Sequence, residues 1–394
     1  MNTAVLNTEI QAYIDAHLAS DITSILLKGT AFTDVETTEI IEQIEAKKRS
    51  KTKLPTWYQC KNIYFPNKLN IEQTSSEITA KHKAGLMNGD TIIDVTGGFG
   101  VDCFYFSKRF KQVTHCEINP KLSQIVSHNY KQLEVENIKT QQVDGIDFLK
   151  NTDSNFDWIY IDPSRRHDSK GKVFFLNDCL PNVPEHLDLL FSHSKNIMIK
   201  TSPLLDFSVG IGELKQVKTI HVIAVNNEVK ELLWILEAGF NGQISIETSN
   251  LKKENTESFN FILNEEKTAN SFYSKPLNYL YEPNVAILKS GAFDSISNQL
   301  QVSKLHKHSH LYTSDALINF PGRAFQIENK IPYNKKELKK HRITKANITT
   351  RNFPETVQNI RKKFNIKDGG ELYLFFTTDL EDNKVVLVTR KVVL

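Results

Sequence analysis

The spacing of apolar residues divides the chain into a helical start and a long α/β middle. Residues 1 to about 50 carry apolar positions at helical intervals, as in IQAYIDAHL and EIIEQIEAKKRS. From about 90 to 265, amphipathic stretches alternate with short β-rich runs, namely TIIDV, QVTHCEI, IKTQQV, DWIYID, NIMIK, TIHVIAV, LLWIL and FNFIL. This alternation predicts an open, mostly parallel α/β sheet.

Two smaller units are predicted after the sheet. The segment KPLNYLYEPNVAILKSGAFDSI, which begins at Lys275, predicts a small α+β module up to about 319. A last unit opens with FPGRAF and ends with GGELYLFFTTDLEDNKVVLVTRKV, which is typical of two strands around the turn LEDN. We therefore expect a helical N-terminal region over 1–55, an α/β domain over 56–275, and modules over 276–319 and 320–394.

Composition excludes several classes of protein. At 394 residues and 40% hydrophobic content, the chain suits two or three domains with buried cores. It has neither a run of roughly 18 apolar residues nor a signal-peptide pattern, so a soluble, cytoplasmic protein is expected. The four cysteines form no C-x-x-C pair, which favours reduced thiols. His306, His308 and His310 alternate but have no carboxylate or cysteine partner nearby, so no metal site is expected.

A glycine-rich turn, DVTGGFGVD, follows the first predicted strand. Apolar residues before the turn place Asp94 at the carboxyl end of that strand, and a helix begins after Gly100. In a doubly wound sheet, ligands bind in this crevice. Gly98 and Gly100 would let a ligand approach the backbone, and Gly97 helps the chain to turn. A plain strand-to-helix turn is the alternative.

The charge of the turn favours a cationic ligand over a dinucleotide. Gly98-x-Gly100-x-x-Cys103 nearly matches the dinucleotide fingerprint. A pyrophosphate binds N–H groups at a helix start, where the carboxylate of Asp102 would repel it. S-adenosylmethionine instead carries an ammonium and a sulfonium group, which Asp94 and Asp102 would attract. An NAD-dependent dehydrogenase is therefore disfavoured.

Two further acids follow later strands. Glu117 lies nineteen residues after Gly98, where a carboxylate can accept hydrogen bonds from both hydroxyls of a ribose. Nucleotide-binding Rossmann enzymes and methyltransferases share such an acid, so it predicts adenosine binding without separating the two classes. A solvated strand-end glutamate is the alternative. In QQVDGIDFL, Asp144 can accept from an adenine amino group, and Asp147 is the neighbouring candidate.

The fourth strand ends in the motif IDPSRR. Asp162 and Pro163 stop the apolar run at the carboxyl end of the strand, because proline cannot continue a ladder. In enzymes that methylate exocyclic nitrogens, an acid followed by proline accepts the amino hydrogens. Asp162, Pro163 and Ser164 are thus the candidate catalytic residues, although the aromatic that usually stacks on the base is absent. Arg165 and Arg166 suit an acceptor phosphate, with a salt bridge as the alternative.

Positive charge is concentrated at the end of the chain. Residues 321–394 contain 16 Lys/Arg and 8 Asp/Glu, a net charge of +8, against +3 for the whole chain. The segment NKKELKKHRITKANITTR suits a polyanionic partner, with a solvated basic face as the alternative. The flanking Phe320, Phe325 and Phe353 could stack on bases, but core packing is the favoured role for each.

These motifs resemble those of class I S-adenosylmethionine-dependent methyltransferases. The residues that carry the resemblance are DVTGGFGVD, Glu117, VDGIDF, IDPSRR and NIMIKTSP. More narrowly, EQTSSEITAKHKA, IDPSRR, VNNEVKELL and FPGRAF resemble a bacterial family of such enzymes with a ferredoxin-like module and a C-terminal THUMP-like domain. The resemblance covers nearly the whole chain after about residue 50. It implies a Rossmann-like sheet of seven strands with a reversed final strand.

The resemblance also implies a set of site residues and a partner. S-adenosylmethionine would be held by Asp94, Gly98, Gly100, Glu117 and Asp144. The candidate cofactor-binding residues further include Thr96, in place of the motif's usual first glycine, together with Gly97 and Asp102. THUMP domains are associated with RNA methylation, so the acceptor would be RNA, bound by Arg165, Arg166, Lys339, Lys340 and Arg342.

The sequence therefore predicts an S-adenosylmethionine-dependent methyltransferase that acts on RNA. In this assignment residues 56–275 form the methyltransferase domain, 276–319 the ferredoxin-like module and 320–394 the THUMP-like domain. In-line methyl transfer requires positioning and electrostatic stabilisation, without a nucleophilic side chain or a metal. The alternatives are a methyltransferase for a protein or small molecule, and a catalytically silent RNA-binding protein that has kept the cofactor fold.

Overall fold

Two compact units make up the chain. The computed structural model describes residues 1–165 and 175–392. The first unit comprises Met1–Lys218 and Leu233–Asn241, and the second comprises Thr219–Leu232 and Gly242–Leu394. The predicted mixture of helices and strands is confirmed in both units.

Sixteen α-helices lie in the described ranges. They are α1 (Thr8–Ala16), α2 (Ile22–Lys28), α3 (Thr37–Lys53), α4 (Pro55–Gln59), α5 (Lys68–Gln73), α6 (Glu77–Gly85), α7 (Val101–Phe106), α8 (Pro120–Gln132), α9 (Gly145–Lys150), α10 (Val183–His193), α11 (Phe207–Glu213), α12 (Leu263–Glu266), α13 (Val285–Ser290), α14 (Phe293–Leu300), α15 (Lys335–Lys340) and α16 (Val357–Phe364).

The same part of the chain contains nineteen strands. They are β1 (Thr91–Asp94), β2 (Gln112–Cys116), β3 (Ile138–Gln141), β4 (Phe156–Ile161), β5 (Ser164–Arg165), β6 (Cys179–Leu180), β7 (Ser194–Thr201), β8 (Val217–Val225), β9 (Glu228–Glu237), β10 (Ser245–Leu251), β11 (Thr256–Ile262), β12 (Phe272–Tyr273), β13 (Tyr279–Pro283), β14 (Ser303–Lys304), β15 (Tyr312–Ser314), β16 (Gly322–Pro332), β17 (Asn347–Arg351), β18 (Leu372–Thr378) and β19 (Lys384–Val392).

A large mixed sheet of nine strands carries the α/β part of the chain. Within the first unit its strands lie in the order β9-β7-β4-β1-β2-β3, and within the second in the order β11-β10-β8-β9. Strand β9 contributes to both because the division between the units falls inside it. The sheet has two strands more than the seven expected, since β10 lies beside β8 and β11 pairs antiparallel with β10.

Strand β9 runs antiparallel to the preceding strand, β8. Only Asn226 and Asn227 connect it to β8, and both have a positive φ, 49° and 64°. Two such residues form the hairpin turn that matches the twist of the flanking strands. Because a two-residue connection joins antiparallel strands, β9 is the reversed strand that the resemblance implies.

An eight-stranded sheet belongs to the second unit. Its strand order is β12-β14-β15-β13-β16-β19-β18-β17. The predicted pair of strands around LEDN is confirmed as β18 and β19, which pair antiparallel from Leu372 to Arg390. Buried apolar residues pack on its faces, including Leu280, Phe325, Phe375 and Leu387 in one cluster.

The helical N-terminal region is also confirmed, and it is tied to the sheet domain by buried polar side chains. The amide of Gln43 on α3 bonds both backbone groups of Phe65, at 2.6 and 2.9 Å. The amide of Asn129 on α8 bonds both backbone groups of Tyr64, each at 2.9 Å. These bonds satisfy the backbone of the connecting segment, which otherwise has no ladder partner. The N-terminal helices therefore form part of the first unit.

No helix among residues 1–165 and 175–392 has the length and apolar character needed to cross a membrane.

Candidate active site

Parallel strands bring four predicted acids to one edge of the sheet in the first unit. Strand β1 pairs in parallel with β2 and β4, and β2 pairs in parallel with β3. Asp94 ends β1, Glu117 follows β2, Asp144 follows β3, and Asp162 follows β4. Since the carboxyl ends of parallel strands lie at the same edge, the four acids lie together at that edge of the sheet.

The three glycines of the turn are required for different structural reasons. A Cβ on Gly97 would lie 2.3 Å from Nε2 of His115, and a Cβ on Gly100 would lie 2.1 Å from Oη of Tyr130. Protein packing therefore excludes a side chain at both positions. Gly98 has a φ of +55°, and its Cβ would meet only the carbonyl oxygen of Thr96, at 3.8 Å. Gly98 is thus the glycine beside which a ligand can lie.

Backbone donors of the turn are already used by protein acceptors. The N–H of Gly97 donates to the carbonyl of Cys116 at 2.8 Å, and the N–H of Gly100 donates to that of Gly97 at 2.9 Å. The N–H of Gly98 donates to Oε2 of Glu117 at 3.0 Å. A pyrophosphate needs such N–H groups. These three N–H groups of the turn are therefore already engaged within the protein.

Glu117 lies directly against the open glycine. Besides the bond from Gly98, its Oε1 accepts from the N–H of Asn119 at 2.7 Å. Burial raises the pKa of Glu117, while these two N–H donors act in the opposite direction. Each carboxylate oxygen can accept more than one hydrogen bond, so ribose hydroxyls can still donate to Glu117.

Ile118 is a further candidate for the site, which the sequence motifs did not indicate. Its side chain is 67% exposed, although it directly follows Glu117 at the end of a buried strand. An exposed apolar side chain of this size offers a flat ligand ring a surface from which water can be displaced. The signal in the sequence is an isoleucine placed after the strand-end acid.

Asp144 is held next to the turn by close backbone packing. A Cβ on Gly145 would lie 2.2 Å from the carbonyl oxygen of Val95, so α9 begins against the chain that leaves β1. The carboxylate of Asp144 caps this helix, because Oδ1 accepts from the N–H groups of Ile146 and Asp147 at 2.8 and 3.1 Å. Asp147, the neighbouring candidate, is exposed and pairs with Lys150 at 2.8 Å.

Thr96 connects the first and fourth strands. Its hydroxyl donates to Oδ1 of Asp94 at 3.1 Å and accepts from the backbone N–H of Asp162 at 2.7 Å. Asp94 also accepts from the backbone N–H of Thr96 at 2.9 Å. A glycine, the usual residue of the motif, could not make the two hydroxyl bonds. Thr96 therefore positions the carboxyl end of β4 relative to the turn.

Asp94 is buried and carries a strongly altered pKa. Its side chain lies below the turn, where Oδ2 accepts a weak hydrogen bond from Sγ of Cys103 at 3.5 Å. Burial raises the pKa of Asp94 to about 7, and the neighbouring Asp102 adds to the increase against the hydrogen bond from Thr96. The carboxyl group thus changes its charge near neutral pH.

Asp102 lies in a buried ion pair that the sequence analysis did not predict. Its Oδ1 is 3.1 Å from Nζ of Lys83, a residue of α6 with 0% side-chain exposure. Its Oδ2 accepts from the hydroxyls of Ser75 and Tyr160 at 2.7 and 3.0 Å. Lys83 also donates to Ser75 at 2.9 Å. The charge that was expected to attract a cationic ligand is therefore compensated within the protein.

The pKa of Asp102 reflects this pairing. Burial alone would raise the pKa, but the ammonium groups of Lys83 and Lys200 and the hydrogen bond from Ser75 lower it below its ordinary value. Asp102 thus stays ionised and fixes the first turn of α7 to α6.

Lys200 is a second lysine that the sequence analysis left out. In the parallel pairing of β4 and β7, Ile161 lies opposite Ile199, and one residue further Lys200 forms an ion pair with Asp162. The side chains are 15% and 32% exposed, so the pair is only partly open to solvent. The predicted acid at the end of β4 therefore has an ammonium group as its direct neighbour.

The rest of IDPSRR is described in part. Pro163 is buried, whereas Ser164 is exposed and its hydroxyl donates to the carbonyl of Leu180 at 3.4 Å. Ser164 and Arg165 form β5, which pairs antiparallel with β6. Arg166 lies outside the described residues.

The predicted basic candidates of the second unit lie on its surface. Lys339 and Lys340 are exposed on α15, and Arg342 is exposed just after it, while Lys340 pairs with Glu337 at 2.7 Å. Lys339 and Arg342 line a cleft of about 160 Å³, together with Ile343, Phe364 and other residues of the same unit. The cleft combines positive charge with an apolar wall.

Other members of the basic and aromatic set have structural roles. Arg351 donates two hydrogen bonds to Glu282, at 2.8 and 3.1 Å. Phe320 and Phe325 are buried, and Phe353 packs against a core cluster. Core packing is thus confirmed as the role of these three rings.

The alternating histidines lie in a turn rather than on a strand. His306 Nε2 is 3.0 Å from Oδ1 of Asp382, and the ring of His310 stacks on Phe293 at 3.6 Å between centroids. In the described part of the chain, no group of three or more His, Cys, Asp and Glu side chains is arranged to hold a metal ion.

Parts of this chain are similar to known families, and the whole chain is similar to a solved structure. Two family profiles match the second unit, a ferredoxin-like domain over residues 279–321 and a THUMP domain-like family over 322–391. No curated protein matches the chain. Among solved structures, a candidate methyltransferase from Porphyromonas gingivalis W83 has a TM-score of 0.88 and 31% identity. That match covers 99% of this chain and 98% of the other.

Two further structures match part of the chain at much lower similarity. TrmK from M. capricolum, in complex with S-adenosyl-homocysteine, has a TM-score of 0.33 and 17% identity over 42% of this chain and 70% of its own. An rRNA methylase from Streptococcus thermophilus has a TM-score of 0.30 and 14% identity over 41% and 93%.

The order and directions of the strands define a protein with the class I methyltransferase fold. The chain belongs to the bacterial methyltransferase family that includes the P. gingivalis protein and carries a ferredoxin-like domain followed by a THUMP-like domain. The resemblance stated from the motifs is thereby confirmed.

Replacement of Lys83 by Met should leave Asp102 charged and unpaired in the interior. Loss of one partner of a buried ion pair costs about 3–5 kcal/mol of the free energy of unfolding. Urea denaturation at neutral pH measures this loss. Lys81→Met, at an exposed position of the same helix, is the control and should change stability by less than about 0.5 kcal/mol.

The double variant Lys83→Met/Asp102→Asn separates the charge effect from lost packing. Because the second change removes the unpaired charge, we expect it to recover at least half of the stability lost by Lys83→Met. A double variant as unstable as the single one would contradict the ion-pair explanation.

Asp94 should make stability depend on pH near neutrality. Because its folded-state pKa of about 7 exceeds the ordinary value of 3.8, the folded protein holds a proton that the unfolded chain loses between these pH values. Raising the pH from about 4 to 7 should therefore destabilise the protein relative to Asp94→Asn by about 1.4 kcal/mol per pH unit, with no further loss above 7. Urea denaturation of both proteins across this range measures the difference, with the exposed Asp153→Asn as control. Parallel curves would show that Asp94 does not titrate in this way.

Proposed function

We propose that this chain is an S-adenosylmethionine-dependent methyltransferase that acts on RNA. The observation that carries the cofactor assignment is the open face of Gly98 beside the half-buried carboxylate of Glu117 and the exposed side chain of Ile118. The residues fit an adenosine: a carboxylate for the ribose hydroxyls lies next to an apolar surface for the adenine ring. The engaged N–H groups of the turn favour an adenosine without a pyrophosphate.

Each residue around the turn has a proposed role. Glu117 accepts hydrogen bonds from the ribose hydroxyls, and Ile118 packs against the adenine. Asp144, held beside the turn through Gly145, accepts from the adenine amino group. Asp94 and Thr96 shape the turn, and Asp94 offers a negative charge to a cation when it is ionised. Asp102 keeps α7 in place through Lys83 instead of contacting the cofactor.

The carboxyl end of β4 is the proposed acceptor site. S-adenosylmethionine, when bound, supplies a methyl group on a positively charged sulfur. Asp162 orients the acceptor by hydrogen bonding, Pro163 ends the strand, and Ser164 borders the opening. The hydroxyl of Thr96 accepts a hydrogen bond from the backbone N–H of Asp162 at 2.7 Å, which fixes the distance between the glycine-rich turn and the carboxyl end of β4. Such positioning is the main contribution that a methyltransferase makes to an in-line displacement.

RNA is the proposed partner because of the second unit. The THUMP-like profile covers residues 322–391, and exposed Lys339, Lys340 and Arg342 lie within it. Lysine and arginine side chains bind backbone phosphates and release counterions. The adjacent cleft, with Ile343 and Phe364 in its wall, offers apolar contact to a nucleobase. Arg165 and Arg166 remain proposed contacts for an acceptor phosphate.

Gly98→Ala should weaken binding of S-adenosylmethionine at least about tenfold, because the new methyl group occupies the ligand's side of the turn. Isothermal titration calorimetry with the purified full chain measures the affinity. Gly291→Ala is the matched control, since Gly291 also has a positive φ and nothing within 4 Å of its Cβ position. Both variants carry a backbone strain of about 1 kcal/mol. Equal affinities of the two variants would rule out the proposed cofactor position.

Transfer of a tritiated methyl group to RNA from cells that lack the protein tests the acceptor. We expect label in RNA that is lost on Asp162→Ala but kept on Asp153→Ala.

Lys339→Gln/Arg342→Gln should reduce the slope of RNA affinity against salt by about one to two units on a log–log plot, because two phosphate contacts are removed. Lys48→Gln/Lys51→Gln removes the same charge from exposed positions of α3 and should leave the slope unchanged.

The other outcomes distinguish the alternatives. Label found only in protein or in small molecules would replace RNA as the acceptor class. Cofactor binding without transfer to any acceptor would indicate a silent RNA-binding protein. Absence of cofactor binding would overturn the whole proposal.

A further inference from the structure

The ion pair between Asp162 and Lys200 places a positive charge at the proposed acceptor site. Both residues follow paired positions, Ile161 on β4 and Ile199 on β7, so the parallel register itself brings them together. Lys200 is 15% exposed and Asp162 32%, which means that both charged groups are partly shielded from water. Electrostatic effects on a reacting atom are stronger in such a place than at an open surface.

A fixed ammonium group discriminates between nitrogen and oxygen acceptors. When an amino nitrogen attacks a methyl group, the nitrogen gains positive charge, which a neighbouring ammonium opposes. When a hydroxyl oxygen attacks and loses its proton, negative charge develops on the oxygen, which the ammonium stabilises. Groups placed where charge develops in the transition state contribute more to catalysis than most other effects.

A second observation favours a hydroxyl over a base amine. Asp162, Pro163, Ser164 and Arg165 occupy the four positions of the motif found in enzymes that methylate exocyclic nitrogens, where the fourth residue is an aromatic. Arg165 stands at that fourth position and has no aromatic ring on which a base could stack. The site thus has the acid that could orient an amino group, but it lacks the aromatic ring of the motif and carries an opposing charge.

We propose that the acceptor atom is a hydroxyl oxygen, and in RNA the ribose 2′-hydroxyl, with Lys200 stabilising the oxygen and Asp162 taking its proton. This inference rests on the proposed function and specifies its acceptor. The 2′-hydroxyl both donates and accepts hydrogen bonds, so it can donate to Asp162 while it accepts from Lys200.

The proposed step balances in atoms and charge. A lone pair of the hydroxyl oxygen forms the new bond to the methyl carbon. The carbon–sulfur bond breaks, and its electrons remain on sulfur, which becomes a neutral thioether. The hydroxyl proton passes to the carboxylate of Asp162 and is then released to water, while Lys200 keeps its charge throughout.

The chemical identity of the product tests the inference directly. RNA labelled with the tritiated methyl donor is hydrolysed in alkali, which requires a free 2′-hydroxyl. We expect the label in alkali-stable dinucleotides. Label in mononucleotides carrying a methylated base would overturn the hydroxyl acceptor while leaving the proposed function intact. Absence of label from RNA would instead refute the RNA methyltransferase proposal on which the inference rests.

Variants of Lys200 test its role separately. Lys200→Met should lower kcat about 100-fold with little change in KM, because the charge acts on the transition state. Affinity for S-adenosylmethionine, measured by calorimetry, should change less than about threefold. Lys200→Arg keeps the charge and should restore at least a tenth of the activity.

The matched control lies on the same strand. Lys195→Met, at an exposed position near the opposite end of β7, should retain full activity. Full activity of a folded Lys200→Met would contradict the role of the ammonium. If Lys200→Met does not fold, the chemistry of the labelled product still decides between oxygen and nitrogen.

Discussion

The buried contact between Lys83 and Asp102 is the interaction on which the site depends. It joins α6, which precedes the first strand, to α7, which follows the glycine turn, and Ser75 and Tyr160 complete its hydrogen bonds. An unpaired charge at either position would be strongly destabilising, so the two helices must stay in register. Glu77 reinforces the same junction through Tyr105 at 2.7 Å. The segment before the sheet, including α6, therefore helps to hold the glycine-rich turn and α7 in place.

Three carboxylates near the turn differ in their surroundings and therefore in their roles. Asp94 is buried largely without a cation and has a pKa of about 7, Asp102 is neutralised by Lys83, and Asp162 is paired at the rim with Lys200. Of these, the pair at the rim is the one open enough to meet an incoming substrate. Asp94 thus changes its charge near neutral pH, Asp102 fixes the structure, and Asp162 is the proposed contact for the acceptor.

The sequence predicted the architecture well because strand ends are local signals. Eight of the apolar runs became strands, and the turn acids followed them as expected. Strand β10, SIETSNL, was missed because polar residues interrupt its pattern, although Asn250 is buried and bonds Glu257 at 2.9 Å. The partners of Asp102 and Asp162 could not be predicted, since Lys83 and Lys200 lie on other elements and no local sequence pattern marks their contacts. Composition likewise could not show that Arg351 forms an ion pair with Glu282.

The packing of Gly97 against His115 and of Gly100 against Tyr130 bears on how distant relatives are found. Glycine spacing alone is a poor marker of kinship, because unrelated nucleotide-binding loops share it for other reasons. In this chain a large side chain fills the space beside each of the two glycines. This pairing is more specific than glycine spacing, because replacing the glycine would require a change in its partner as well. Joint occurrence of the glycines with the histidine and the tyrosine should therefore mark chains that share this glycine-rich turn more selectively than the glycine spacing does.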